Sequence, residues 1–141
     1  MRAAAAIAVC VLLAAAGASL AVLNHVPAVS AVKRFVEAAR SHGLIIPVLA
    51  SVAVFTDIVS AAVLQGLPGL ELDDRLVADV VNAADPVEAG IEAAVAEACA
   101  LLSIDGVEGV NISGLASAAG NRVGAQIKAE VGARIRAGHP S

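Results

Sequence analysis

The sequence predicts an α/β fold, a partial TIM (β/α)8 barrel of about three parallel βα units, and three observations lead there. Residues 44–57 read LIIPVLASVAVFTD, an apolar, β-branched run that passes straight into a Thr-Asp helix cap. A strand covered on both faces loses its polar alternation, so this run reads as a buried parallel strand. The same helix-strand-helix pattern occurs over 19–26 and again over 107–114. Parallel strands are joined by right-handed crossovers. A closed barrel of this type takes about 250 residues and eight units, so a chain of 141 residues holds about three of them.

The first stretch, 3–23, carries no charge after Arg2 and admits three readings. One is a signal peptide with Ala16-Gly17-Ala18 as the cleavage site before Ser19. The second is a spanning helix, whose apolar residues contribute about −2 to −5 kcal/mol in all. The third is a helix that is apolar all round because it is buried, turning at Gly17 into a strand over 19–26. The third is favoured, because a strand at a mature N-terminus would have no preceding helix to cover it.

From 27 to 42, Val29, Val32, Phe35, Val36 and Ala39 recur at helical spacing with Lys33, Glu37 and Arg40 outside the stripe, and Gly43 closes the helix. A strand over 45–55 follows. Thr56 or Asp57 caps a short helix to about Gln65, which Gly66, Pro68 and Gly69 break. Asp73 and Asp74 open another helix with the stripe Leu76, Val77, Val80, Val81 and Ala84. Asp85-Pro86 starts a longer one, with Val87, Ile91, Ala94, Val95, Ala98, Leu101 and Leu102 on one face. Residues 104–106 end it, VEGVNISG supplies the third strand, and Val123, Ile127, Val131 and Ile135 mark a last helix carrying a Glu130 to Arg134 pair.

A formal net charge of −4, with two Phe and no Trp or Tyr, excludes the basic, aromatic surface of a nucleic-acid binder. Cys10 and Cys99 are too few for a disulfide framework and read as small buried hydrophobes, Cys99 on the apolar face with Ile91, Val95 and Leu102. His25, His42 and His139 show no ligand spacing, so no metal site is expected. His25 reads as a solvated loop residue, Thr56 and Asp57 as a cap, and the helix carboxylates as solvated faces. No pair of carboxylates stands at strand ends, so no catalytic residue is assigned.

Five stretches in order, AGASLAVLNH, RFVEAARSHG, IIPVLASVAVFTD, DPVEAGIEAA and IDGVEGVNISGLA, carry a resemblance. Over residues 15–136 the chain resembles the C-terminal part of the methylenetetrahydrofolate reductase family, flavin-dependent α/β barrels. The resemblance implies reduction of 5,10-methylenetetrahydrofolate to 5-methyltetrahydrofolate, with FAD and NAD(P)H as cofactors and a cytoplasmic setting. It puts substrate-binding roles on Asn24, where the family has a glutamine that hydrogen-bonds the pterin, and on Leu64, an apolar position against the ligand. An amide suits the first role because it offers a donor and an acceptor together.

Ser51 stands where the family usually has glycine, and 114–117 reads Gly-Leu-Ala-Ser where many members read Thr-Leu-Asn-Arg. The family's acidic residue and most flavin contacts lie on earlier strands. The expected organisation is therefore an apolar helix over 1–18, βα units over 19–137 and a tail over 138–141. As an isolated chain it should be inactive and retain no flavin, its partner being an N-terminal barrel half or another copy. The competing reading is a small membrane-anchored or exported α/β binding module, with residues 3–23 as the anchor, that uses an exposed sheet edge.

Overall fold

Each apolar run becomes a strand, and the three lie parallel in the order β1-β2-β3, with β1 Ala21–Leu23, β2 Val48–Phe55 and β3 Val107–Ala116. The structure is a computed structural model and describes residues 2–138. The helices are α1 Arg2–Ala15, α2 Val29–Ser41, α3 Ile58–Gln65, α4 Asp74–Val81, α5 Pro86–Leu102 and α6 Asn121–Gly138. Most of the expected tail, including His139, lies outside the described residues.

The strand boundaries differ from expectation for local reasons. β1 is three residues rather than eight, because it meets β2 only where β2 begins, Ala21 to Leu23 against Val48 to Ala50. β2 starts at Val48 rather than Ile45, since Pro47 offers no N–H and restricts Ile46, leaving Ile45 exposed. β3 runs past Gly114 to Ala116, because its register shifts between Ala53↔Ser113 and Phe55↔Ala116. Gly114, at φ +103°, takes up that bulge, and a Cβ there would stand 2.7 Å from the Val54 carbonyl oxygen.

The two faces of the sheet are covered differently. Val48, Ala50, Val52 and Val54 of β2 join one apolar core with Val36 of α2, Ala98 and Leu101 of α5 and Val131 of α6. Ile7 of α1 belongs to the same core, so α1, α2, α5 and α6 gather on one face. The opposite face carries Leu49, Ser51 and Ala53 against Gly109, Asn111 and Ser113. Apart from Leu49 its side chains are small or polar. Asn111 Nδ2 donates to Ser51 Oγ at 3.2 Å, and Ser113 Oγ donates to the Val52 carbonyl at 3.2 Å. A second core, formed by α3, α4 and Leu70, closes over Ala53 and Phe55 at the carboxyl end of β2.

Two helix glycines set how closely the layers approach. A Cβ on Gly90 of α5 would collide with the Phe55 carbonyl oxygen, and one on Gly124 of α6 with the Leu115 carbonyl oxygen. At the opposite end of the sheet the Arg40 guanidinium acts as a staple. Nη1 donates to the Leu44 and Ile46 carbonyls at 2.7 and 2.8 Å, and Nη2 to the Gly106 carbonyl at 3.1 Å. Asp73 and Asp85 cap α4 and α5 as expected, with Pro86 in the first turn of α5, and Arg134 Nε donates to Glu130 at 2.8 Å.

The expected burial of α1 does not hold. Ile7 is buried and Cys10, Val11 and Ala14 pack against the core, but Leu12 is 68% exposed and Val9 and Leu13 lie open as well. Its principal helical neighbour is α2, so one stripe finds cover and the remainder faces outward. Fourteen residues span about 21 Å at 1.5 Å each, short of a hydrocarbon core of about 30 Å. Among the described residues no helix is long and apolar enough to cross a membrane. Cys99, expected on the buried face of α5, is half-buried on its flank, because the buried line runs through Gly90, Ile91, Ala94, Ala98 and Leu101.

Candidate functional site

Parallel α/β sheets place their chemistry where strands hand over to the following loops, because the loops there are free of the sheet's pairing demands. In this chain three such loops follow Leu23, Phe55 and Ala116, and those after β2 and β3 are hydrogen-bonded to each other. Asn24 and His25 follow β1, Thr56 and Asp57 follow β2, and Ser117 and Ala118 follow β3.

Asn24 is exposed, and its Oδ1 accepts from the His25 backbone N–H at 3.1 Å. That bond fixes the amide orientation, with Nδ2 towards Gly69, where an added Cβ would stand 3.5 Å from it. Beside Asn24 lies an open hollow of about 260 Å³, walled by Leu23, Val26, Ala31, Val32 and Phe35. An apolar slot with one amide at its rim is suited to the edge of a flat, polar heterocycle.

His25 is not the solvated loop residue expected. It is 4% exposed, with Nδ1 2.6 Å from the Glu71 carbonyl oxygen and Nε2 2.8 Å from Glu97 Oε1. Burial works to keep the ring neutral, but the hydrogen bond and charge of Glu97, with the Glu71 carbonyl, outweigh it and raise the histidine above its ordinary 6.5. Glu97 is likewise no solvated helix carboxylate, its side chain being 17% exposed. A sequence signal for it existed: Glu97 sits three residues after Ala94 and four before Leu101, beside the buried line of α5.

Thr56 does not cap α3. It is buried, and its Oγ1 donates to the Ala116 carbonyl at 2.6 Å. Ala116 has φ +66°, a left-handed conformation that costs a residue with a Cβ about 1–2 kcal/mol, so Thr56 ties down a strained strand end. Asp57 is the cap. Oδ1 accepts from Ser60 N at 2.8 Å in a capping box, and Oδ2 accepts from Ala118 N at 2.7 Å. Partial burial works to raise its pKa, but the Ser60 and Ala118 N–H groups and the Ser60 and Ser117 hydroxyls hold it below the ordinary carboxylate value.

Leu64 is fully buried in the second core, its two Cδ atoms 3.2 Å from where a Cβ on Gly114 would stand. The two residues expected at the substrate therefore occupy different parts of the sheet end: Asn24 closes β1, Leu64 supports the bulge of β3, and β2 runs between those strands. Lys128 Nζ donates to the Gly114 carbonyl at 3.0 Å and braces the same bulge from α6. Among the described residues no group of three or more His, Cys, Asp or Glu is placed to hold a metal ion. A scan against protein-family models finds no match, and a search of curated proteins finds no similar sequence.

Proposed function

We propose that the chain forms the C-terminal βα units of a methylenetetrahydrofolate reductase-like barrel, with Asn24 supplying the folate-binding amide and Leu64 the apolar backing of the sheet end. The observation that carries this reading is the uneven covering of the sheet. Four helices pack along one face of a parallel sheet whose strands keep chain order, while on the other face α3 and α4 close over the carboxyl end of β2 alone. A doubly wound open sheet sends helices to both faces, whereas a barrel wall sends them outward only. The bulge and the strained Ala116 at the carboxyl ends support a site there, since both features gather next to sites.

In such an enzyme FAD carries hydride from NAD(P)H to the folate. No residue of this chain is assigned to FAD or to the nicotinamide. What the chain's own residues do is bind and orient. The carboxamide of Asn24, pinned by the His25 N–H, offers Nδ2 and the second lone pair of Oδ1 to a pterin edge, and the apolar hollow beside it offers a face for the ring. The test is co-expression with the N-terminal part of a barrel of this family. The expected product is a yellow complex that oxidises NAD(P)H with 5,10-methylenetetrahydrofolate as acceptor. Lack of association, or association without flavin, overturns the reading.

A second reading, a binding module that accepts an added strand at β1, is favoured by the apolar exposure of Leu13, Leu20 and Val22 along that edge. Its occupant would be another copy of the chain, and an anchored or exported setting belongs to this reading. A monomeric chain in sedimentation at high concentration would count against it.

A further inference from the structure

We infer that His25 and Glu97 form a proton-dependent latch that holds the segment 66–73 against Asn24 at the end of β1. The Glu71 carbonyl oxygen only accepts, so the ring nitrogen 2.6 Å away, Nδ1, carries a proton. Glu97, as a carboxylate, also only accepts, so the contact of 2.8 Å to Nε2 requires a second proton on the ring. The ring is an imidazolium bound between two acceptors. Remove one of these protons and the carboxylate, the stronger acceptor, keeps the remaining N–H on Nε2, so the Nδ1 lone pair faces the Glu71 carbonyl oxygen inside the protein. The contact must then open, because a ring 4% exposed has no water at hand to intervene.

The latch joins three parts of the chain distant in sequence: the loop after β1, the segment after α3 and the middle of α5. From α5 the group facing the ring is Glu97, the charged side chain acting on it; from the segment 66–73 it is the neutral Glu71 carbonyl, and from its own loop the neutral Asn24 amide. Gly69 of the held segment lies against Asn24 Nδ2, so releasing Glu71 frees the wall against which the amide is set. His25 is thus a positioning residue for Asn24. The inference concerns the chain itself and stands whether or not the ligand is a folate.

The test uses the purified chain. Long-range nitrogen-proton spectra across the neutral and alkaline range would identify the three histidines, His42→Gln and His139→Gln assigning His25 by elimination. We expect His25 to keep both ring protons above the ordinary imidazole value of 6.5, and the amide protection of Leu70 to fall by about tenfold per pH unit above the His25 titration. In Glu97→Gln the carboxamide donates to a neutral Nε2. The histidine then titrates lower and the Leu70 protection loses its pH dependence. A His25 that titrates at or below 6.5, or a Leu70 protection indifferent to that titration, overturns the latch. Should the Glu97 variant fail to fold, the wild-type spectra and exchange decide alone.

Discussion

The half of the molecule built on β2 and β3 and the half built on β1 are held by different means. Between β2 and β3 the strands pair over most of their length, α5 and α6 press glycines onto strand carbonyls, and the helices between and behind them have side-chain caps at Asp57, Asp73 and Asp85. Around β1 the strand is three residues long, and α1 and α2 enclose an open apolar hollow of about 650 Å³. A smaller hollow of about 210 Å³ runs beside Leu20 and Val22. Both outer strands leave one edge unpaired, but β3 is paired along its length and backed by α6, whereas β1 is short and flanked by open apolar surface.

Breaking the closed half should have the largest effect. Gly124→Ala gains helix propensity worth up to about 1 kcal/mol. It also drives a methyl group into the Leu115 carbonyl, with no flexible side chain to give way. Overpacking against backbone should dominate, and we expect a net loss of about 3 kcal/mol or more in urea unfolding. Gly90→Ala, aimed at the Phe55 carbonyl, should behave alike. If either variant is as stable as the parent, the two halves are not held differently.

Next in size is the contact that ties the halves together. Glu97→Ala leaves the buried His25 ring without its ionic partner, and we expect a loss of about 2 kcal/mol near neutral pH. The pH dependence has a definite sign. His25 is raised above 6.5 in the folded chain, so its contribution is complete below that value and is lost as pH rises through the higher folded value. Unfolding midpoints taken from pH 6 upward should fall in the parent and stay flat in Glu97→Gln.

How much of this was readable in advance follows the range of the forces involved. Strands and helices are written in neighbouring residues, so the apolar run of β2, the Asp85-Pro86 start of α5 and the Glu130 to Arg134 pair were all legible. Strand ends were less so, because the extent of β1 depends on where β2 begins and the end of β3 on a bulge opposite Val54. The fate of α1 was misread for a similar reason: an apolar helix is buried only if enough neighbours exist, and that is a property of the assembly. At the site, Asn24 rests on the resemblance alone. His25 and Glu97, 72 positions apart, were missed because no local pattern joins them. Thr56 was read as a cap because its partner, Ala116, lies 60 residues away.

A smaller effect should come from Asp57, which serves α3 and the loop after β3 at once. Asp57→Ala removes a cap and leaves Ala118 N unpaired near the surface, for a loss of about 1–2 kcal/mol at neutral pH. The sign is opposite to that of His25. The carboxyl is held below its ordinary 3.8, so its contribution is present above that value and is lost as pH falls through the lower folded one. Parent and variant should therefore converge in stability in strong acid, which urea midpoints taken between pH 2 and 5 would show. A difference that persists unchanged to the lowest pH would mean that the carboxylate charge does not contribute.

Asn24→Ala sharpens the comparison from the ligand side. The residue is exposed and bonds its neighbour's N–H, so the chain should lose no more than about 0.5 kcal/mol. In the reconstituted barrel the same change should raise the folate KM about three- to tenfold, the worth of one hydrogen bond, with flavin content unchanged. The split between a silent stability and an altered KM separates a ligand contact from a loop contact.

The smallest change in stability, and the sharpest test of the open half, is Leu12→Gln. Leu12 is 68% exposed on α1, so polar replacement should move the unfolding midpoint by less than about 0.5 kcal/mol. If the apolar side of α1 is where copies of the chain or a missing barrel layer meet, the same replacement should shift sedimentation towards the monomer and weaken capture by an N-terminal barrel half, while leaving the β2 and β3 half untouched. A variant that is more stable yet associates as before would show that the outward face of α1 is a simple surface, and that the demand for a further layer lies in the β1 backbone edge alone.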